Sequence, residues 1–238
     1  HRSYIDELGT IDGGGLYLDW TTEAGTGILV TNCLLTNNQA YVGGGLQAAS
    51  GLILGCRMIG NRAWEGGGCS VEYSTVISNC QMVANWAQNA GGLRIGNGAT
   101  ASSCVFSYNS ATNAGGGVYA WGAATKLSNC TMLENTAWDG GGAYLSSGVL
   151  SNCVVSGNLA TNAGGGVLVT GGNSLAVACT FSNNQAGSRG GGAFVTYSAT
   201  LTDCLVVSNR ANDAGGVWGE GSENITNSLL SRKITKKR

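Results

Sequence analysis

The chain has 238 residues, of which 11% are charged, 41 are glycine and none is proline. So few charges exclude ordinary intrinsic disorder, and the absence of proline favours a chain in which nearly every segment donates backbone N–H groups to a ladder. Residues 1–231 hold 7 basic against 13 acidic residues, because five basic residues lie in the last seven positions. Nucleic acid is therefore not an expected partner, since its binding needs a basic stripe across the folded surface.

Residues 1–12 precede the repeated part of the sequence, and we expect them to form an N-terminal cap or flank. No signal peptide begins at His1, which predicts that the chain is a processed segment with neighbouring domains of a larger protein. No run approaches the roughly 18 apolar residues of a membrane span, so no transmembrane segment is predicted. Residues 229–238 form a basic tail that we expect to be a solvated end.

The residues between these ends contain an internal repeat marked by cysteine. Eight cysteines recur at intervals of 23 to 26 residues: Cys33, Cys56, Cys80, Cys104, Cys130, Cys153, Cys179 and Cys204. The fifth residue after each cysteine is asparagine: Asn38, Asn61, Asn85, Asn109, Asn135, Asn158, Asn184 and Asn209. The seventh is alanine, and a glycine cluster follows, as at residues 43–45 and 190–192.

The period and composition of the repeat select an architecture. Helical repeats need about 33 or more residues, and glycine triplets would break their helices. Leucine-rich repeats have a different Leu/Asn pattern, and the calcium-binding β-roll has a repeating Asp that is missing here. Short strands separated by turns remain, so the sequence predicts an all-β, right-handed parallel β-helix over residues 13–228, with eight to nine coils of 23–26 residues.

Side-chain alternation supports this fold. The second residue after each cysteine is always apolar: Leu35, Met58, Met82, Phe106, Met132, Val155, Phe181 and Val206. The third residue before each cysteine is apolar as well, from Val30 to Leu201. Both sets are expected to point inward and to stack coil upon coil at a strand spacing of about 4.8 Å.

The cysteine and asparagine positions are predicted to be structural. An inward asparagine at a tight bend can satisfy backbone groups that the turn leaves unpaired. The chain has nine cysteines, an odd number that cannot all pair. Strands about 4.8 Å apart also hold Cβ atoms beyond the usual disulfide distance, so we expect buried free thiols. The only histidine is His1, so neither a metal nor another cofactor is predicted.

Two short motifs resemble a known family. The sequences FSYN at 106–109 and FSNN at 181–184 match the FxxN element of the chlamydial polymorphic outer-membrane protein repeats, and GGAY at 141–144 and GGAF at 191–194 are similar to their GGAI element. Most coils depart from the pattern, with Met, Leu or Val in place of Phe. The resemblance implies a secreted or surface-displayed, outer-membrane-associated adhesin that binds a glycan or a cell-surface protein.

One candidate binding surface is an outward row with one residue in each coil: Tyr17, Gln47, Ser70, Arg94, Tyr119, Tyr144, Leu168, Phe194 and Trp218. Its C-terminal half is aromatic and apolar, and large exposed apolar patches mark binding surfaces. We predict that an outward stripe of Tyr119, Tyr144, Phe194 and Trp218 stacks on a glycan or contacts a protein. The alternative is that a loop or a flanking part of the full protein covers this stripe.

A second candidate is a corner cluster formed by Tyr41, Trp64, Glu65, Trp138 and Asp139, which recur after the Asn-x-Ala element. An aromatic ring beside carboxylates suits sugar binding, although solenoid corners are also commonly polar without a function. Residues 19–23 form the tip of the longest insertion and are a further candidate contact loop.

Catalysis is the main rival function, because parallel β-helices resemble pectin lyases and polygalacturonases. These reactions need clustered carboxylates, with Ca²⁺ and an arginine base or as pairs roughly 5–10 Å apart. Here the acids look scattered: Glu65 and Asp139 are three coils apart, about 14 Å, and Arg94 has Glu72 as its nearest acid by coil position. We therefore predict no catalytic residue. A third class is a spacer that self-associates through its end strands.

Overall fold

The computed structural model describes residues 4–5, 11–18, 28–230 and 235–237. All regular secondary structure in this part of the chain is β, and the strands wind into a right-handed parallel solenoid, which confirms the predicted fold. Each coil passes through three long sheets, called sheets 1, 2 and 3, and most coils add a strand of a shorter corner sheet between sheets 3 and 1. Residues 19–23, the candidate contact loop, lie outside the described residues.

Sheet 1 has ten strands, listed in their spatial order: Leu16–Leu18, Leu46–Ala48, Cys69–Val71, Leu93–Ile95, Val118–Ala120, Ala143–Leu145, Val167–Thr170, Ala193–Thr196, Val217–Glu220 and Thr235–Lys237. Sheet 2 has nine: Leu29–Thr31, Leu52–Leu54, Val76–Ser78, Thr100–Ser102, Lys126–Ser128, Gly148–Ser151, Ser174–Val177, Thr200–Thr202 and Asn224–Thr226.

Sheet 3 also has nine strands: Leu34–Thr36, Arg57–Ile59, Gln81–Val83, Val105–Ser107, Thr131–Leu133, Val154–Ser156, Thr180–Ser182, Leu205–Val207 and Leu229–Leu230. The corner sheet has five: Trp86–Asn89, Ser110–Ala114, Thr136–Asp139, Leu159–Ala163 and Gln185–Ala186. A separate antiparallel pair joins Tyr4–Ile5 to Ile11–Asp12.

Residues with a positive φ turn the chain at several points within a coil. In one coil they are Asn129 before the cysteine, Glu134 before the inward asparagine, Gly140 at the start of the glycine cluster and Gly148, with φ of 54°, 52°, 62° and 101°. Asparagine and glycine adopt this conformation at the lowest cost, which explains why the sequence places them repeatedly between strands. The strands are consequently short, three to five residues in most coils.

The coils stack in register, so equivalent residues of successive coils are neighbours. Ile53 pairs with Ile77, and Ile77 pairs with Ala101. The interior column at the second position after cysteine contains Phe106 and Phe181 among its fully buried members. Burial of such columns on all sides of a narrow interior supplies the main favourable free energy of folding.

The inward asparagines form a continuous hydrogen-bonded ladder. The backbone N–H and the Nδ2 group of Asn109 both donate to Oδ1 of Asn135, at 2.9 and 3.0 Å, and Nδ2 also donates to the carbonyl oxygen of Met82 at 2.9 Å. Asn85 donates in the same way to Oδ1 of Asn109. Each buried amide therefore joins its own coil to both neighbours, and its polar atoms are satisfied.

The cysteines stack in a second ladder with a similar role. The backbone N–H of Cys130 donates to Sγ of Cys153 at 3.3 Å, and that thiol donates to the carbonyl oxygen of Ser151 at 3.2 Å. In the last coil the hydroxyl of Ser228 accepts the backbone N–H of Cys204 at 3.2 Å. The thiols thus cap backbone groups as well as filling space, a role that the sequence interpretation as small hydrophobes did not include.

All nine cysteines are free, and eight are buried. Burial raises the pKa of the Cys56 thiol to about 11 and raises the pKa of Cys69 well above its ordinary value. Cys33 is exposed, so the expectation of burial is wrong for this residue. It lies in the first described coil of sheets 2 and 3, whose strands Leu29–Thr31 and Leu34–Thr36 are edge strands.

Part of the basic tail is paired rather than wholly solvated. Leu229–Leu230 pairs with Leu205–Val207, and Thr235–Lys237 pairs with Val217–Glu220. Both strands are parallel and in register, so they extend the solenoid beyond residue 228. Such added strands occupy backbone groups that would otherwise form an open sheet edge.

We predict that a thiol reagent modifies one cysteine of the native protein and all nine after denaturation. A reagent must contact the sulfur atom to react, and eight of the thiols are buried beyond its reach. Spectrophotometric thiol counting with and without denaturant measures both values, and a Cys33→Ser variant should show no rapid native reaction. Two or more thiols reacting at equal rates in the native protein would contradict the buried ladder.

Candidate functional site

A polar cleft, called the groove below, follows the outward face of sheet 1. Its volume is about 580 Å³. One wall comes from the corner sheet and the turns before it, the floor from the outward row of sheet 1, and the other wall from the segments that follow sheet 1. The lining residues are Glu65, Asn89, Asn113, Ala114 and Asp139 on the first wall, Arg94, Tyr119 and Tyr144 on the floor, and Trp121 and Ser146 on the second wall.

The alternation of side chains along each strand of sheet 1 determines which residues form the floor of the groove. In Val118–Ala120 the first and last residues are buried in the core, so the central Tyr119 points outward, and the same pattern holds for Tyr144 in Ala143–Leu145. The glycine cluster brings the corner close to this floor. A Cβ atom at Gly141 would lie 2.6 Å from the carbonyl oxygen of Gly165 in the next coil, so no other residue fits there without displacing the backbone.

The first wall is a second, partly exposed ladder of amides and carboxylates. Nδ2 of Asn113 donates to Oδ1 of Asn89 at 2.8 Å, and Nδ2 of Asn89 donates to Glu65 at 3.4 Å. Farther along, Oδ1 of Asp139 accepts hydrogen bonds from Nδ2 of Asn162 at 2.9 Å and from the backbone of the next residue, Ala163, at 3.0 Å. This wall therefore offers one hydrogen-bonding side chain per coil.

The two tyrosines of the floor stack on each other. Their ring centroids are 5.1 Å apart and their planes differ by 6°. The stack covers one face of each ring, so a ligand cannot stack on these two faces. A glycan in the groove would contact the ring edges or the two outer faces of the pair. Burial, together with the neighbouring Tyr119, raises the pKa of Tyr144, so its hydroxyl is protonated at neutral pH.

The C-terminal half of the outward stripe is covered. Leu168, Phe194 and Trp218 are only 6%, 9% and 6% exposed and form a small cluster outside the main core. The guanidinium of Arg189 lies 5.1 Å from the Trp218 ring centroid, and its Nη1 is 3.5 Å from Oε2 of Glu220. Phe194 and Trp218, predicted as open binding residues, are thus buried by side chains from this same chain.

Arg94 crosses the floor of the groove between two acids. Its Nε lies 2.5 Å from Oε2 of Glu65, its Nη1 pairs with Oε1 of Glu72, and its guanidinium is 5.1 Å from the Trp121 ring centroid. The acids that looked scattered in the sequence are therefore partly clustered. Sequence reasoning assigned Glu72 to Arg94 but missed Glu65, which reaches across from the corner of the preceding coil.

The corner cluster divides between two surfaces. Tyr41, Trp64 and Trp138 are 47%, 48% and 53% exposed, whereas Glu65 and Asp139 line the groove. Consecutive residues of an extended segment point in opposite directions, which separates Trp64 and Trp138 from the acid that follows each of them. The two aromatic residues Tyr41 and Trp64 stack with centroids 6.1 Å apart. The five predicted residues do not form one site.

Trp121 is a lining residue that the sequence analysis missed. It follows the strand Val118–Ala120, and its indole packs over Gly96, where a side chain would overlap the ring. Its Nε1 is buried and has no hydrogen-bond partner in the described part of the chain. The sequence signal that could have identified Trp121 is Gly96, which occupies the equivalent position in the preceding coil and leaves room for the indole. The Nε1 edge of the indole lies against Gly96, so this N–H faces the backbone of the preceding coil.

Two further clefts lie along the same face of sheet 1. One of about 200 Å³ includes Gln47 and Ser70 from the outward row, and one of about 670 Å³ includes Phe194 and Glu220. In the described ranges, no group of three or more His, Cys, Asp or Glu side chains is arranged to hold a metal ion. Nor does this part of the chain contain a helix long and apolar enough to cross a membrane.

Comparison with known families agrees with this architecture. Residues 91–230, more than half of the chain, match the family model of the right handed beta helix region. The chain belongs to this β-helix family. The matched part contains Arg94, Tyr119, Trp121, Asp139 and Tyr144, whereas Glu65 and Glu72 precede it. No curated protein matches the chain.

We predict that Asp139→Asn leaves the protein folded and removes part of the pH dependence of its stability. Burial raises the pKa of Asp139, so the favourable contribution of its protonated form is present at low pH and is lost as the pH rises above about 4. An asparagine keeps the acceptor for Asn162, as in the other rungs of this wall. Urea unfolding at pH 4 and pH 7 should show a gain of less than about 1 kcal/mol at pH 7, because solvent screens a half-exposed group.

Glu134→Gln is the matched control, since Glu134 is exposed outside the groove. It should change the free energy of unfolding by little at either pH, because its side chain is exposed to water. A clear loss of stability in Asp139→Asn at pH 7 would show that the carboxylate, despite its burial, stabilises the fold.

Proposed function

We propose that the chain is a non-catalytic β-helix scaffold that binds an extended glycan along the groove. The observation that carries this proposal is the repetition of hydrogen-bonding side chains along one wall, from Glu65 through Asn89 and Asn113 to Asp139, one in each coil. A polymer lying parallel to the solenoid axis meets the same kind of group about every 4.8 Å.

The chemistry of the groove suits sugars better than a protein partner. Amides and carboxylates bond hydroxyl groups, and the tyrosine edges beside them add apolar contact. Protein interfaces depend on central aromatic anchors that become fully desolvated. The residues that would provide such anchors, Phe194 and Trp218, are already covered within the chain.

We further propose that this scaffold is secreted or displayed on a bacterial cell surface. The support is the resemblance of the FxxN and GGAI-like elements to the chlamydial outer-membrane repeats. A cell-surface glycan or a host glycan is the partner that this location supplies. The exposed aromatic residues of the outer corner, Tyr41 and Trp64, lie away from the groove and are not required for this binding.

The proposal predicts that Tyr119→Phe/Tyr144→Phe weakens glycan binding about tenfold without destabilising the fold. The change keeps the stacked rings and removes two hydroxyls, each worth roughly 0.5–1.5 kcal/mol when hydrogen-bonded. A glycan array followed by calorimetry measures the affinity, and thermal unfolding tests the fold. Tyr108→Phe is the control, since Tyr108 is exposed away from the groove.

The proposed function fails if the unmodified protein binds no glycan on the array. The assignment of glycan binding to the groove is wrong if the double variant binds as tightly as the unmodified protein.

A lyase or hydrolase is the second candidate, favoured by the presence of Glu65, Glu72 and Arg94 in one place. Both carboxylates are engaged by the guanidinium, which leaves neither free for proton transfer in the described arrangement. Cleavage of any bound polymer, abolished by Glu65→Gln, would favour catalysis over simple binding. Incubating the glycans of the binding experiment with the protein and measuring new chain ends provides this comparison.

A further inference from the structure

We propose that the groove selects uncharged glycans and rejects polymers whose sugars carry carboxylates. This inference rests on the proposed glycan binding and concerns the class of glycan. It follows from the charges of the groove, from the pairing of its cation, and from the hydrogen-bonding groups that remain available.

Arg94 is the only cation among the residues that line the described groove. Two of its nitrogen atoms contact carboxylates, Nε with Glu65 and Nη1 with Glu72. Its planar guanidinium group lies over the Trp121 ring. The three charged side chains are 20%, 29% and 24% exposed, so water screens the pairs only partly. An incoming carboxylate would therefore meet a guanidinium whose charge is already neutralised by two neighbouring acids.

The remaining charge of the groove is negative. Glu65 and Asp139 line the groove with the single Arg94, and Glu72 pairs with that guanidinium from the neighbouring cleft, so these four side chains carry a formal charge of −2. A uronate polymer would bring one more carboxylate with each sugar into this partly buried space. Without a free cation, each such group loses hydration and meets like charge, both of which cost free energy.

An uncharged glycan meets suitable partners instead. The oxygen atoms of Asn113 and Asp139 accept hydrogen bonds from hydroxyl groups, and amide groups of the same wall donate to them. None of these hydrogen-bond donors and acceptors requires the ligand to be charged.

The test uses pairs of oligosaccharides that share one backbone. Hexamers of β-1,4-linked glucan, mannan and galactan are compared with the same hexamers oxidised to carboxylates at C6, by calorimetry at 10 mM and 150 mM salt. We expect the neutral member to bind at least about tenfold more tightly at low salt. The difference should shrink at higher salt as the screening length falls from about 30 Å to about 8 Å.

A double variant tests the cause. Glu65→Gln/Glu72→Gln frees the guanidinium of Arg94 and should raise affinity for the oxidised hexamers about tenfold, which corresponds to about 1.4 kcal/mol. Glu134→Gln/Asp203→Asn makes the same change in net charge at two exposed residues outside the groove, and should change that affinity by less than about twofold. Thermal unfolding of both variants establishes that they are folded.

The outcomes separate this inference from the proposed function. Equal or tighter binding of the oxidised hexamers by the unmodified protein overturns the charge selection and leaves glycan binding in place. Failure of the groove variant to gain affinity overturns the assigned role of Arg94. Binding of none of the six hexamers, and of no glycan on the array, overturns both the inference and the function on which it rests.

Discussion

The structure depends on the hydrogen bonds that join each inward asparagine to the coils on either side. An amide such as that of Asn109 donates to the next coil and to the preceding one, while its oxygen accepts two bonds from its neighbour. A shift of one coil by a single residue would break this pattern and leave several buried polar groups without partners. The ladder therefore sets the register, and the register places every other side chain.

The same register creates the groove. Because equivalent residues stack, a feature of the repeat appears on the surface as a row, and rows on adjacent faces enclose a channel parallel to the axis. The walls differ from coil to coil only where the side chain differs, as at Arg94, which Glu65 and Glu72 neutralise. Toward the C-terminal end the outward row is covered at Trp218, where the guanidinium of Arg189 lies over the ring. Function in such a fold lies in these departures from the repeat.

The fold could be predicted from the sequence because the spacing of Cys and Asn and the alternation of apolar residues are one-dimensional signals of a one-dimensional repeat. The site could be predicted only in part. Alternation identified the floor residues, but not that Phe194 and Trp218 are buried, which for Trp218 depends on Arg189 from another segment. The contact of Glu65 with Arg94 and the orientation of Trp121 likewise depend on the paths of irregular turns, which residue spacing does not encode.

The most direct test of the register is hydrogen exchange of asparagine side-chain amides, measured by NMR. The Nδ2 protons of Asn85, Asn109, Asn135 and Asn158 should be protected by orders of magnitude, because they are buried and bonded to two coils, whereas those of the exposed Asn113 should exchange far faster. Exchange of all five amides at one solvent-limited rate would contradict the ladder and, with it, the stacking on which the groove depends.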